Sequence, residues 1–132
     1  MIGTTHIAVG VALTTAVFGF DAPALATTVI ASTVPDLDRL LPGMHRQVTH
    51  SLLALIVVYL FGSQYFPGLV YSFLIGYSGH LLMDILTPAG VPLLWPVGKR
   101  FRLPITSTGS FIDRVVIRYA AITAALVFIV MG

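Results

Sequence analysis

From Ser51 to Gly79 the chain carries no charged residue and no histidine. A stretch of that length cannot supply a water-facing surface, and the rest of the sequence offers little to cover it. Of 132 residues, 57% are apolar and 9% are charged, where a soluble domain carries roughly 25% charged residues. The chain therefore reads as an integral membrane protein. Each crossing must be a helix, because lipid leaves an open strand edge unsatisfied. Cysteine is absent, which excludes disulfides, thiolate metal sites and cysteine nucleophiles together. All five acids are aspartate, and a net charge of +2 is too small and scattered for nucleic acid.

The punctuation predicts about five helices in one domain over residues 1–132. The first runs from Met1 to Phe20 and is broken only by His6, ending at Asp21-Ala22-Pro23. A second, Ala22 to Pro35, is short against a span of about 20 residues. Gly62-Ser63-Gln64 and Pro67-Gly68 divide the long apolar stretch into helices at about 50–66 and 68–87. Thr87-Pro88 and Gly90 stop the latter, a Pro- and Gly-rich basic loop covers 88–112, and a last helix runs from about Asp113 to Met131. The expected fold is an all-α, small polytopic membrane bundle with four to five transmembrane helices. Ala24-Leu25-Ala26 faintly resembles a signal-peptide cleavage site. Met1 to Thr5 carries no Lys or Arg, so the first helix is expected to be retained.

Alternating five crossings puts every basic residue on one side: Arg39, Arg46, Lys99, Arg100, Arg102, Arg114 and Arg118. The positive-inside rule makes that side cytoplasmic. All four histidines and four of the five aspartates fall there too, although the histidines did not define the helices. This places the chain in a bacterial or archaeal plasma membrane, with its polar residues gathered at the cytoplasmic face.

His80 and Asp84 are four residues apart on a helix and so share a face. An imidazole and a carboxylate at that spacing can chelate a cation or simply hydrogen-bond to each other. Asp36 and Asp38 follow Pro35 at a helix end, where they suit a divalent cation, a general base or a solvated turn. His50 opens a helix, and His6 lies near the start of another. His6, Asp36, His50, His80 and Asp84 form the candidate metal set. Nitrogen and oxygen donors without sulfur suit Zn²⁺, in one or two ions, and also Mn²⁺ or Fe²⁺. Asp36 and Asp38 are the candidate catalytic bases.

His45, Arg46, Arg102, Arg114 and Arg118 are the candidate substrate-binding residues. Arg forks and the hydroxyls of Thr106-Ser107-Thr108 and Ser110 suit a phosphate. The competing reading of these cations is that they bind anionic headgroups and fix topology. No serine sits in a G-x-S-x-G elbow, and neither a Walker A loop nor a dinucleotide fingerprint is present.

Four segments together resemble the YdjM-type family, LexA-regulated membrane proteins described as metal-dependent hydrolases. They are Pro35-Asp36-Leu37-Asp38; His45-Arg46 with Thr49-His50-Ser51; Gly79-His80-Leu81-Leu82-Met83-Asp84 with Thr87 and Gly90; and Leu94-Trp95-Pro96. The resemblance runs from His6 to about Arg118. A fainter similarity is to zinc-dependent phospholipase C, which implies His6, Asp36, His50, His80 and Asp84 as ligands, or Asp36 as the water-activating base. No His follows His80 and no Glu exists, so the later ligands of that enzyme have no counterpart.

The expectation is an integral-membrane metal-dependent hydrolase cleaving a phosphoester of a lipid or lipid-linked substrate with a cation-activated water. Its expected partners are membrane lipids, with a homo-oligomer left open. The alternative is a non-enzymatic ion-handling or structural membrane protein built on the same His/Asp cluster.

Overall fold

A computed structural model describes residues 3–40 and 46–131. Five α-helices follow in order: α1 Gly3–Phe18, α2 Ala22–Ala31, α3 Leu52–Tyr65, α4 Val70–Ile85 and α5 Arg118–Met131. Short 3₁₀ segments, Val34–Leu40 and Val48–His50, lie between α2 and α3. A π-helical turn, Ile112–Ile117, leads into α5. Among the described residues the one β feature is an antiparallel bridge between Val91 and Phe101, so the fold is all-helical.

Local chemistry sets the boundaries. Asp21 caps α2 by accepting from the Ala24 amide at 2.7 Å, with proline in the first turn. Ser51 caps α3 by accepting from the Ala54 amide at 3.3 Å. Pro67-Gly68 makes the turn between α3 and α4, as the sequence predicts. The 88–112 loop folds back on the end of α4, where Leu103 donates to the Ile85 carbonyl at 2.7 Å and Thr106 to that of Leu86 at 3.1 Å.

These boundaries leave the helices shorter than the sequence reading expected. α1 and α4 have 16 residues each, α2 has 10 and α3 has 14. Sixteen residues rise about 24 Å, against a hydrocarbon core of about 30 Å. Among the described residues only Ile112–Met131, with 20 residues, is long and apolar enough to cross by itself. α1 stops at Phe18, just before Gly19 with its positive φ, α2 gives way after Ala31 to the 3₁₀ segment, and the turn at Pro67 separates α3 from α4, so helix length supports one clear span where four to five were expected.

α1 and α4 are central: α1 packs on α5, α4 and α2, and α4 packs on α1, α2 and α3. Two glycines allow the close approach. A Cβ at Gly76 would lie 2.6 Å from the Thr28 carbonyl oxygen on α2, and one at Gly10 would run into Ser32 Oγ. On the other side of α1, Ala12 packs with Ala121 and Ala125 of α5.

The burial pattern is inverted relative to a water-soluble bundle. The largest fully buried side chains are led by His6, His50 and His80 and include Thr5, Thr14, Thr28, Asp84 and Asp113. Leu60, Phe61, Tyr65, Val130 and Met131 are exposed, and α3 buries none of its residues. A surface of that kind is stable against acyl chains and costly against water.

Candidate metal centre

Contacts between sequence-distant residues show that one end of the bundle gathers the start of α1, the end of α2, the start of α3, the end of α4 and the start of α5. His6 of α1 meets Asp84 of α4, His50 before α3 meets Asp84, His80 meets Ser32 after α2, and Arg118 meets Thr5. The elements therefore alternate in direction, and every sequence-selected metal ligand comes to this end.

His6, His50, His80 and Asp84 are fully buried. The His6 and His80 rings stack with centroids 3.8 Å apart and planes at 16°. His6 Nε2 lies 3.5 Å from Asp84 Oδ1, and His50 Nε2 lies 3.5 Å from Asp84 Oδ2. His80 Nε2 lies 3.7 Å from both Asp84 Oδ2 and Asp36 Oδ1. These separations lie at or beyond the long end of the hydrogen-bond range. They approach the edge of a tetrahedron of N and O donors around one ion, about 3.3–3.6 Å for bonds of about 2.0–2.2 Å.

The tautomer of His80 is set by its other nitrogen. Nδ1 lies 2.7 Å from the Ser32 carbonyl oxygen, which can only accept, so Nδ1 carries the hydrogen. Nε2 of the neutral ring is then a bare lone pair. Neither His80 Nε2 nor His6 Nε2 has a hydrogen-bond partner among the described residues, although both are buried. Buried polar atoms are normally satisfied, and a cation held among these donors would satisfy both. The donor set thus fits a divalent ion.

Two overlapping groups have ligand atoms within 4.8 Å of one another: His6, His80 and Asp84; and Asp36, His50 and His80. His80 belongs to both, but its single lone pair serves one ion at a time. Asp84 presents Oδ1 to His6 and Oδ2 to His50 and His80, so its carboxylate is the group able to bridge the two sets.

The remaining candidates occupy different settings. Asp36 is the most accessible carboxylate of the cluster, its side chain 18% exposed and 3.2 Å from Arg39 Nη2. Asp38 is buried behind His50, with Oδ2 3.3 Å from His50 Nδ1. Arg46 is 7% exposed. Its Nη2 donates to Asp84 Oδ1 at 2.9 Å and its Nη1 to Thr87 Oγ1 at 3.3 Å. This guanidinium is built into the cluster instead of standing free at an interface. Arg100 donates to the Arg46 carbonyl at 3.4 Å. Arg118 is half-buried and donates to Thr5 Oγ1 at 3.5 Å, next to His6. Arg102 and Arg114 are exposed, and His45 lies outside the described residues.

Sequence reasoning missed the Ser32 carbonyl that orients His80, because a backbone acceptor leaves no residue signature. It also missed Tyr77, whose hydroxyl donates to the Thr49 carbonyl at 2.5 Å.

The whole chain, residues 1–132, matches the model of the YdjM inner membrane protein family. The chain belongs to that family. Uncharacterized protein YvsG of Bacillus subtilis (strain 168) is 33% identical over 140 residues, covering 89% of this chain and 88% of its own length. Inner membrane protein YdjM of Escherichia coli (strain K12) is 48% identical over 68 residues, which is 46% of this chain and 35% of that protein. The Shigella flexneri protein of the same name matches to the same extent. This chain thus matches about a third of the length of those two YdjM proteins. No solved structure matches it. Membership places the chain among inner membrane proteins, in agreement with its inverted burial pattern, and the YdjM-type resemblance read from the motifs is correct.

Proposed function

We propose that this YdjM-family chain is a metal-dependent hydrolase acting on a phosphoester of a lipid or lipid-linked substrate at the cytoplasmic face of the membrane. The observation that carries the reading is the convergence of His6, Asp36, His50, His80 and Asp84 from four separate segments, with partnerless Nε2 atoms on His6 and His80. A structural polar cluster would be expected to pair its own buried atoms.

His6, His50, His80 and Asp84 would hold the ion, with Asp36 at the accessible edge. A bound Zn²⁺ or Mn²⁺ supplies Lewis acidity and lowers the pKa of water. Asp36 is the proton acceptor of choice, because it is the carboxylate that solvent and substrate can reach. Arg39 and Arg100 lie on the same side and are exposed, so they can meet an anionic headgroup. Arg46 supports the site from below by holding Asp84. The apolar exterior next to this end favours an amphiphilic substrate. On this reading the short helices cross together as a four- or five-span bundle, with α2 reaching only part-way through the core.

One observation bears on ion handling, the second reading. Buried hydroxyls continue beyond the cluster: Thr14 and Thr28 are paired at 2.7 Å, and Thr28 donates to the Ser72 carbonyl at 3.1 Å. These groups bond to one another in a tightly packed seam, which favours a structural role for them.

The deciding experiment measures hydrolysis of phospholipids and polyprenyl phosphates by the purified chain with metal removed and returned, alongside ion flux in proteoliposomes. Metal-dependent product release supports the hydrolase. Flux without hydrolysis would replace it with the second reading.

A further inference from the structure

His50 raises a question that His80 does not. Its Nε2 must present a lone pair to serve as a ligand. The residues around its other nitrogen answer it. Thr49 Oγ1 lies 2.6 Å from Asp38 Oδ2 and 3.0 Å from His50 Nδ1. An ionised carboxylate can only accept, so the single Thr49 hydroxyl hydrogen points to Asp38. The Thr49 oxygen is then left to accept, and the hydrogen between Thr49 and His50 must sit on Nδ1. The Asp38 carboxylate, 3.3 Å from Nδ1, favours the same arrangement.

We propose that Asp38 and Thr49 form a relay that locks His50 in the Nδ1–H tautomer, leaving Nε2 bare towards Asp84. Asp38 is thereby a positioning residue and not the proton acceptor that the sequence left open beside Asp36. Its Oδ2 also accepts from the Arg46 amide at 2.7 Å. That bond ties Arg46, a non-glycine residue at φ 56, to the same carboxylate. Tyr77 holds Thr49 in place through the Thr49 carbonyl. One carboxylate thus orients a ligand, His50, and anchors the backbone of the residue that holds another, Asp84. The geometry of the relay stands by itself; its use in metal binding rests on the hydrolase reading.

Two readouts test it. The first is the tautomer of His50 in the metal-free full chain, from ¹⁵N–¹H correlations of ¹⁵N-histidine-labelled protein in micelles, with His50 assigned by loss of its signal in His50→Gln. The second is Zn²⁺ affinity by competition with a chromophoric chelator. Wild type and Thr49→Ser, which keeps the hydroxyl, should show Nδ1–H and the same affinity. Thr49→Val and Asp38→Asn should lose the fixed tautomer and weaken Zn²⁺ binding about 10–100-fold, with thermal midpoints recorded to separate this from unfolding. An unchanged tautomer in folded Thr49→Val and Asp38→Asn overturns the relay. A wild type that has Nδ1–H but binds no metal supports the relay and overturns the hydrolase reading instead.

Discussion

The imidazoles of His6 and His80 lie face to face, with centroids 3.8 Å apart, and the Nε2 atom of each lies within 3.7 Å of the Asp84 carboxylate. Two imidazoles in such a stack repel if both are protonated. A divalent cation shared at their edges is compatible with both rings neutral. His6→Ala and His80→Ala should therefore each lower divalent-metal affinity sharply while the helices remain inserted. Metal stoichiometry by elemental analysis, with circular dichroism of the same samples, checks this. Undiminished stoichiometric metal in both variants would remove the pair from the site.

Arg46 and Asp84 form a buried ion pair at 2.9 Å. Removing one partner of such a pair costs about 3–5 kcal/mol, so metal-free Arg46→Met should unfold far more readily than wild type. Excess divalent metal should recover part of that loss, about 2.7 kcal/mol at a hundredfold excess over Kd. Unfolding in micelles with and without Zn²⁺ measures both. Equal stability of metal-free wild type and variant would show that the guanidinium does not support Asp84.

Gly76→Ala should separate α4 from α2, because the new methyl would meet the Thr28 carbonyl oxygen at 2.6 Å and backbone cannot swing aside as a flexible side chain can. Overpacking of this kind costs about 1–3 kcal/mol. It should also loosen the contact of His80 with the Ser32 carbonyl, just beyond the end of α2, and so weaken metal binding. Gly68→Ala is the control, since a Cβ there meets nothing within 4 Å. Thermal midpoints and Zn²⁺ titrations of the two variants should diverge.

The clustering of His6, Asp36, His50, His80 and Asp84 was legible in the sequence for a specific reason. In an apolar chain each histidine or aspartate is costly to bury, so the few that occur stand out, and alternating the helices brings them to one end. His80 and Asp84 also declared themselves by their four-residue spacing. The division of labour within the cluster was not legible. Asp36 and Asp38 look equivalent in Pro-Asp-Leu-Asp, yet one reaches the accessible edge and the other lies behind His50. Arg46 read as a phosphate donor, and its buried contact with Asp84, across 38 residues, is one that no local pattern encodes. Helix existence followed from apolar runs and turn residues. Spanning length did not, because α1, α2 and α3 stop at Phe18, Ala31 and Tyr65 inside largely apolar sequence.

Topology gives a further test. With five alternating helices and the basic residues cytoplasmic, reporter fusions at Gly98 and after Met131 should lie on opposite sides of the membrane. Both on the same side would mean that the continuous helix Ile112–Met131, among the described residues the one long enough to cross alone, does not cross.

The central claim is metal-dependent phosphoester hydrolysis, and Asp36→Asn tests it most directly. Asparagine keeps the shape of Asp36 but cannot take a proton. Turnover should be measured on a panel of phospholipids and polyprenyl phosphates, with bound metal quantified in the same preparations. The account predicts metal-dependent turnover in wild type, and in Asp36→Asn nearly full metal with turnover reduced about 10²–10⁴-fold. Wild-type protein that holds stoichiometric metal yet releases no product from any member of the panel would contradict it.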